Sequence, residues 1–145
     1  MPISYIELER LNPHGGIVVV PEDAPLVFDT IVSSDGTQIS YDPGTGVITF
    51  NDAGFYYVAW YVAPQFGLTT NGSNWAIQTT ISQLSFIGSS HTKVSATTGF
   101  AILDAQAGET IQLINVSDGD ISLSEAVESK AGLVAYSITM QNLSP

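Results

Sequence analysis

The segment Phe55–Ala63, with the sequence FYYVAWYVA, constrains the fold of this chain more than any other stretch. All of its residues are apolar or aromatic, and it follows the turn-forming triplet Asp52-Ala53-Gly54. A strand with one face in water alternates polar and apolar side chains, whereas an unbroken apolar run indicates a strand covered on both faces. The protein's own core covers one face. The other face needs a second layer, and in a chain of 145 residues we expect a second copy of the chain to supply it.

Turn and strand signals in the rest of the chain predict an all-β fold. Runs rich in β-branched and aromatic residues are separated by Gly, Pro and Asp corners at intervals of about 8–12 residues, as in sandwiches and barrels. The predicted strands are Gly16–Pro21, Leu26–Val32, Thr37–Tyr41, Val47–Asn51, Phe55–Ala63, Trp75 to Ile81, a bulge or new strand at Leu84 and Phe86, Lys93–Leu103, Thr110–Val116, Ile121–Leu123 and Gly132–Met140. Ile3–Leu11 fits a helix or a first strand equally well, and Gln65–Asn74 is predicted to be a polar loop.

Length and charge limit the organisation and the partners of the chain. Its 145 residues fit one domain, 1–145, with a leading segment 1–15 and a sandwich over 16–140. The net charge of −11 results from three basic residues, Arg10, Lys93 and Lys130, against fourteen acidic ones. Nucleic acids and anionic membrane surfaces bind clustered Lys and Arg, so we expect neither as a partner. No apolar run approaches the roughly 18 residues that would insert in a membrane, and the first residues, MPISYIELER, show no secretory signal.

Residue types that support catalysis are scarce, and we predict that the protein is not an enzyme. The chain has no cysteine, and its two histidines, His14 and His91, lie far apart in loop-like surroundings. A Ser/His/Asp site needs a histidine beside an activated serine, and no G-x-S-x-G spacing is present. A glycosidase needs two carboxylates in a cleft, whereas Asp104 and Glu109 follow turn signals, where acidic residues normally act as solvated caps.

Two loops contain residue types that bind ligands. Within and after the predicted loop Gln65–Asn74, the groups typical of sugar-binding sites are Phe66, Asn71, Asn74 and Trp75, although a solvated hairpin connection is the favoured explanation of the loop. Asp118 and Asp120 offer the hard oxygen ligands that calcium prefers, but the loop lacks EF-hand spacing, and turn geometry alone also accounts for it. We expect no other cofactor.

Several motifs occur in a characteristic order along the chain. They are Phe28-Asp29, Tyr41-Asp42-Pro43 with Thr45-Gly46, Gly54-Phe55-Tyr56-Tyr57-Val58, the heptapeptide from Ala107 to Leu113, and Ala131-Gly132-Leu133-Val134. Over roughly residues 16–140 this set resembles the superfamily of the tumour necrosis factors and the globular heads of the first complement component. The bacterial branch is the most similar, in particular the C-terminal domains of collagen-like exosporium glycoproteins of the BclA type on spores. The resemblance implies a jelly-roll sandwich of about ten antiparallel strands, packed as a homotrimer.

The resemblance also implies roles for individual side chains. In family members, the strand after the glycine equivalent to Gly54 points alternate residues into the sandwich and onto the threefold axis. The residues assigned to the core are Tyr56, Val58, Trp60 and Val62, and those assigned to the trimer interface are Tyr57, Ala59, Tyr61, Thr98, Phe100 and Ile102. Some complement-type heads hold calcium near the trimer apex. The resemblance therefore favours Asp118 and Asp120 as calcium ligands.

Two functions fit these expectations. In the first, the chain is a trimerising structural module that nucleates or caps a fibre or coat on a bacterial spore or cell surface. In the second, it is a recognition head, such as the tip of a bacteriophage or other surface fibre, whose loops bind a host receptor or a glycan, and multivalency then raises weak affinities. The sequence leaves both open.

Overall fold

The chain folds into antiparallel β-sheets. The computed structural model describes residues 4–11, 17–67, 69, 72–90, 96–123 and 130–138, and none of these lies in a helix. The strands are β1 (Tyr5–Arg10), β2 (Val19–Val20), β3 (Thr30–Asp35), β4 (Ile39–Asp42), β5 (Val47–Phe50), β6 (Gly54–Val62), β7 (Pro64–Gly67), β8 (Ser73–Thr79), β9 (Ser85–Ser90), β10 (Thr97–Ala105), β11 (Glu109–Asn115), β12 (Ile121–Leu123) and β13 (Ala131–Ile138). The predicted all-β class is confirmed, and of the two alternatives for Ile3–Leu11 the strand is correct.

Three sheets organise these strands. Sheet I has the order β10-β6-β13-β1-β3, sheet II has the order β4-β5-β11-β8-β9, and the small sheet III has the order β2-β12-β7. Every pairing between the strands is antiparallel. The strand β6 lies inside sheet I, paired over almost its whole length with β10 on one side and β13 on the other. The apolar segment that opened the sequence argument is therefore a central strand.

The hydrophobic core lies between sheets I and II. Sheet I contributes Ile6, Leu8, Tyr56, Val58, Trp60, Val62, Leu103 and Leu133, and sheet II contributes Ile39, Ile48, Phe50, Trp75, Ile77, Ile111 and Leu113. Across the two sheets, the rings of Phe50 and Tyr56 stack with their centroids 4.3 Å apart. Such close interdigitation accounts for the burial of one face of each sheet.

Three local predictions were wrong because long-range pairing overrides the local pattern. Leu26 precedes the strand β3 and instead donates its N–H to the Leu113 carbonyl of β11 at 2.8 Å. Part of the predicted loop Gln65–Asn74 belongs to the strands β7 and β8, since the backbone of Gly67 pairs with Ile121. The predicted strand ending at Ile81 stops at Thr79, whereas of the two alternatives at Leu84 and Phe86, a bulge or a new strand, the new strand β9 is correct.

Candidate functional site: the outer face of sheet I

The face of sheet I that points away from the core is composed of three cross-strand rows. Residues that face each other across paired strands share one side of a sheet. The first row contains Ile102, Tyr57, Tyr136 and Tyr5, the second contains Phe100, Ala59, Val134 and Glu7, and the third contains Thr98, Tyr61, Gly132 and Glu9. These twelve residues are called the outer face below.

The β10 side of the outer face is strongly apolar and exposed. Phe100 is 73% exposed and Ile102 is 61% exposed, although both stand on a strand that is fully paired with β6. Beside them, the rings of Tyr57 and Tyr136 pack with their centroids 5.1 Å apart. Contiguous apolar surface of this kind marks an interaction site more often than a free surface. The single chain therefore leaves the second face of β6 incompletely covered.

A shallow pocket of about 260 Å³ lies within the outer face. Its outer-face lining consists of Glu7, Glu9, Ala59, Tyr61, Thr98, Gly132 and Val134. The Tyr61 ring lies directly against the backbone of Gly132, where an added Cβ would overlap the ring. Gly132 is therefore what allows Tyr61 to lie flat and form one wall of the pocket.

The β1 side of the outer face is acidic. Glu7 and Glu9 both line the pocket, and Asp35 of β3 pairs with the neighbouring Tyr5. None of the three rows contains a basic residue. The described basic residues lie elsewhere: Arg10 approaches Asp29 at 3.6 Å, and Lys130 is buried. The outer face is therefore apolar at β10, β6 and β13 and negatively charged at β1.

The residues assigned to the core and to the interface separate by side of the sheet. Tyr56, Val58, Trp60 and Val62 are buried in the sandwich. Tyr57, Ala59 and Tyr61 are half-buried on the outer face, and Thr98, Phe100 and Ile102 are exposed there. The structure thus brings the six proposed interface residues together on one surface. Their role in a trimer remains a prediction.

Of the four residues proposed to form a ligand loop, the structure describes the side chains of Asn74 and Trp75. Trp75 is a core residue with 0% exposure, and its indole N–H donates to Ser73 Oγ at 2.8 Å, so its assignment to a ligand site was wrong. The backbone of Asn74 is held within the sheet by Ser117, whose hydroxyl lies 2.8 Å from the Asn74 nitrogen. Asn71 and the side chain of Phe66 lie outside the described residues. The alternation of Trp75 with Ile77 was the signal for the core position, and it outweighs the neighbouring polar residues.

The structure offers little support for Asp118 and Asp120 as calcium ligands. Asp118 is exposed, and one carboxylate oxygen of Asp120 accepts the backbone N–H of Glu22 at 3.0 Å. Within the described ranges, no group of three or more His, Cys, Asp or Glu side chains could hold a metal ion. Calcium binding at these two residues stays a prediction.

Of the two carboxylates considered for catalysis, Glu109 has a structural role. It is only 1% exposed, and its oxygens accept hydrogen bonds from the Ile81 N–H at 2.6 Å and from the N–H and hydroxyl of Ser82. Its interpretation as a solvated cap was therefore wrong. Asp104 is exposed near the end of β10, and both histidines lie outside the described residues.

The turn between β8 and β9 is a surface feature that the sequence analysis missed. Ile81 and Leu84 are about half exposed there, while Thr79 and Glu109 hold the turn by hydrogen bonds to its backbone. The hint in the sequence was two large apolar residues within a polar stretch. Their exposure depends on Glu109, which is distant along the chain, so no local pattern could establish it.

Burial raises the pKa values of two tyrosines, Tyr41 of β4 and Tyr56 of β6. Burial raises the pKa of Tyr41 above its ordinary value, an effect that the hydrogen bond to Phe28 opposes. Tyr41 Oη accepts from the Phe28 N–H and donates to the Phe28 carbonyl, each at 2.8 Å. Burial likewise raises the pKa of Tyr56, whose hydroxyl donates to the Asp52 carbonyl. Neither tyrosine belongs to the outer face.

Comparison with solved structures identifies the fold as the jelly roll of tumour-necrosis-factor and complement-head type. The globular domain of zebrafish complement 1qA is similar, with 15% sequence identity and a TM-score of 0.66 over 94% of this chain and 98% of that one. Murine APRIL has 12% identity and a TM-score of 0.69 over 94% and 100% of the two chains. The PRD1 vertex protein P5 has 15% identity and a TM-score of 0.61 over 94% and 97%.

At these identities the likeness shows the fold alone. No protein-family model matches the sequence, and no curated protein matches it either. The described ranges contain no helix long and apolar enough to cross a membrane. The fold is thus a jelly roll of the tumour-necrosis-factor and complement-head type, and in this chain sheet I carries an apolar outer face.

Proposed function

We propose that this protein is a non-enzymatic assembly module that forms a homotrimer through the outer face of sheet I, as part of a bacterial surface or spore-coat structure. The observation that carries the proposal is the incomplete cover of β6. One of its faces is buried in the core, while the other carries Tyr57 and Tyr61 next to the exposed Phe100 and Ile102. Burial of such side chains is the main favourable term in association.

The area of sheet I is of the order that a stable interface needs. The five strands of sheet I have 6 to 9 residues each. At a strand spacing of about 4.8 Å and a rise of about 3.3 Å per residue, the sheet covers roughly 600 Å². A standard interface takes about 800 Å² from each partner. The face of sheet I is therefore somewhat smaller than this standard contribution, and in a trimer, where each copy contacts two neighbours, the edges of the sandwich would have to add further area.

The choice of three copies and of a bacterial surface rests on the ordered motifs. These resemble the trimeric jelly rolls of the superfamily, and most closely the domains of collagen-like exosporium glycoproteins. A similar fold also occurs in a protein named as a vertex protein, that of PRD1, which is compatible with an assembly role. The calcium prediction for Asp118 and Asp120 accompanies this proposal as an accessory site and is not needed for it.

Light scattering on the purified chain tests the proposal. At micromolar concentration we expect three times the monomer mass of 15.4 kDa. Ile102→Asp should yield folded monomers, because the side chain is exposed in a single chain and only an interface would bury the new charge. Tyr57→Asp should yield monomers or fail to fold.

Ser40→Asp is the matched control, since it adds the same charge to an exposed position of β4 in sheet II. It should stay trimeric. A monomeric wild-type protein, or an Ile102→Asp variant that stays trimeric, would refute the proposal.

A second candidate function is a recognition head, and the turn between β8 and β9 favours it. Ile81 and Leu84 are presented to solvent by a turn that the buried Glu109 holds rigidly. Preorganised apolar groups of this kind lose little entropy on binding a protein partner. A screen of surface proteins and glycans, with an Ile81→Ser/Leu84→Ser variant as the control, should find binding that the variant lacks. If nothing binds, this candidate has no support.

A further inference from the structure

We propose that the pocket on the outer face receives the Phe100 ring of a neighbouring copy, with the ring edge directed at Glu7 and Glu9. This inference rests on the proposed homotrimer and specifies its central contact. The pocket and the ring belong to the same chain and the same face, but in the single chain the Phe100 ring does not line the pocket and is 73% exposed.

The dimensions of the pocket suit one side chain. Its volume of about 260 Å³ lies below the range of about 300–1,000 Å³ that is usual for sites of organic ligands. Its walls are mostly apolar, with Ala59 and Val134 beside the Tyr61 ring. A single aromatic side chain buries about 150–250 Å² and is held well by such walls.

Among the residues that the structure describes, Phe100 is the occupant that fits the pocket best. With 73% exposure it is the most exposed of the large hydrophobic side chains in the described ranges. It stands on β10 opposite Ala59, where pairing with β6 fixes the backbone, so the ring is presented from a rigid strand. A rigid aromatic group in a preformed pocket is the usual form of an interface hot spot.

The charges around the pocket favour an aromatic ring over other occupants. Glu7 and Glu9 stand on its β1 side, and the chain as a whole carries a net charge of −11, so an acidic side chain would be repelled. The edge of an aromatic ring carries partial positive charge and can face carboxylates without a basic residue. The three rows contain no basic side chain that could serve instead.

The positions of the ring and of the two carboxylates also set the geometry of association. Phe100 lies on the β10 side of the outer face, and the carboxylates lie on its β1 side, three strands away. When each copy gives a ring to one neighbour and receives a ring from the other, the contact is heterologous, and a closed ring of copies results if the rotation closes. A symmetric pair that exchanges rings face to face is the other arrangement, and it would give twice the monomer mass.

Two opposite charges at position 100 test the inference. In Phe100→Lys the ammonium group would lie beside the neighbour's Glu7 and Glu9, so the assembly should persist. In Phe100→Glu a third carboxylate would join them, so the assembly should dissociate. Both variants change a side chain that is exposed in the single chain, so both should fold. At low salt we expect dissociation constants that differ by about 100-fold, and a smaller difference in about 1 M salt.

The Glu7→Gln/Glu9→Gln background is the specificity control. There the advantage of lysine over glutamate at position 100 should disappear. Three results would each overturn the pocket assignment: equal dissociation of the two Phe100 variants, unchanged affinity in both, or a charge effect that survives in this background. In all three cases, a trimeric wild type would still uphold the proposed function. A wild-type mass of two copies would overturn the heterologous arrangement and the trimer together. A monomeric wild type would refute both proposals.

Discussion

Replacement of Asn115 by alanine should strongly destabilise the fold. This side chain is 0% exposed and connects the turn that follows it, at Ser117 and Gly119, with the distant segment of Val20 and Pro21. Its amide group donates to the carbonyls of Val20 at 2.9 Å, Pro21 at 3.3 Å and Gly119 at 3.1 Å. Its oxygen accepts the Ser117 N–H at 3.0 Å. The variant Asn115→Ala would leave these buried backbone groups without their partner.

The expected loss follows from the bonds removed. A hydrogen bond contributes about 1 kcal/mol net, and a buried group left unpaired costs about 1–3 kcal/mol. Two amide hydrogens and one oxygen are lost together with a small buried volume, so we expect a decrease of about 3–4 kcal/mol in the free energy of unfolding. This is a large share of the roughly 5–15 kcal/mol typical of a domain.

Urea denaturation followed by tryptophan fluorescence measures this loss, since both tryptophans, Trp60 and Trp75, are buried. All variants need the same protein concentration, because assembly adds to the apparent stability. Asn51→Ala, which removes one exposed hydrogen bond to the Thr37 carbonyl, is the matched control and should change stability by less than about 0.5 kcal/mol. Asn115→Asp should be worse than alanine, because a carboxylate would face carbonyl oxygens. An Asp variant as stable as the wild type would refute the reasoning.

Two further predictions concern the core and the pH dependence. Gly99→Ala should lower the free energy of unfolding by about 1–3 kcal/mol and change the tryptophan emission, because a Cβ on Gly99 would overlap the Trp60 indole; an emission spectrum identical to that of the wild type would contradict this. Because burial raises the pKa of Tyr41 in the folded state above its ordinary value of 10.0, its contribution to stability should be complete below about pH 10 and lost as the pH rises through the folded pKa. Unfolding free energies measured from about pH 8 to pH 11.5 should therefore fall above pH 10. In Tyr41→Phe the fall should be less steep, and the free energy of unfolding should already be lower at pH 8, because the two hydrogen bonds to Phe28 are missing. An equally steep fall in the variant would assign the effect to other groups.

Local signals predicted much of the strand pattern. Gly46 and Gly108 occupy turns with φ values of 80° and 85°, which glycine adopts without strain. Between such corners, β-branched and aromatic runs form strands close to their predicted bounds, as Ile121–Leu123 shows without any shift. The all-β class follows from these signals because turn geometry and strand pattern are properties of neighbouring residues.

Errors arose where a residue's partner is far away in the sequence. The β7 strand was missed because its pairing with β12 depends on the backbone of distant residues. Trp75 was assigned to a binding loop because its neighbours are polar, although the core receives its side chain. Glu109 was assigned to solvent because it follows a turn, although it satisfies the backbone of the turn between β8 and β9.

The sequence by itself determined that the segment from Phe55 to Ala63 needs apolar cover on both sides, because no polar residue interrupts it. Only the tertiary structure decided which cover is present and which is lacking. Sheet II buries one face of β6, whereas on the other face the register with β10 and β13 places Phe100, Tyr57 and Tyr136 side by side at the surface. The physical reason is that periodicity is a local property of the chain, whereas the grouping of side chains on a sheet depends on register between strands that are distant in sequence.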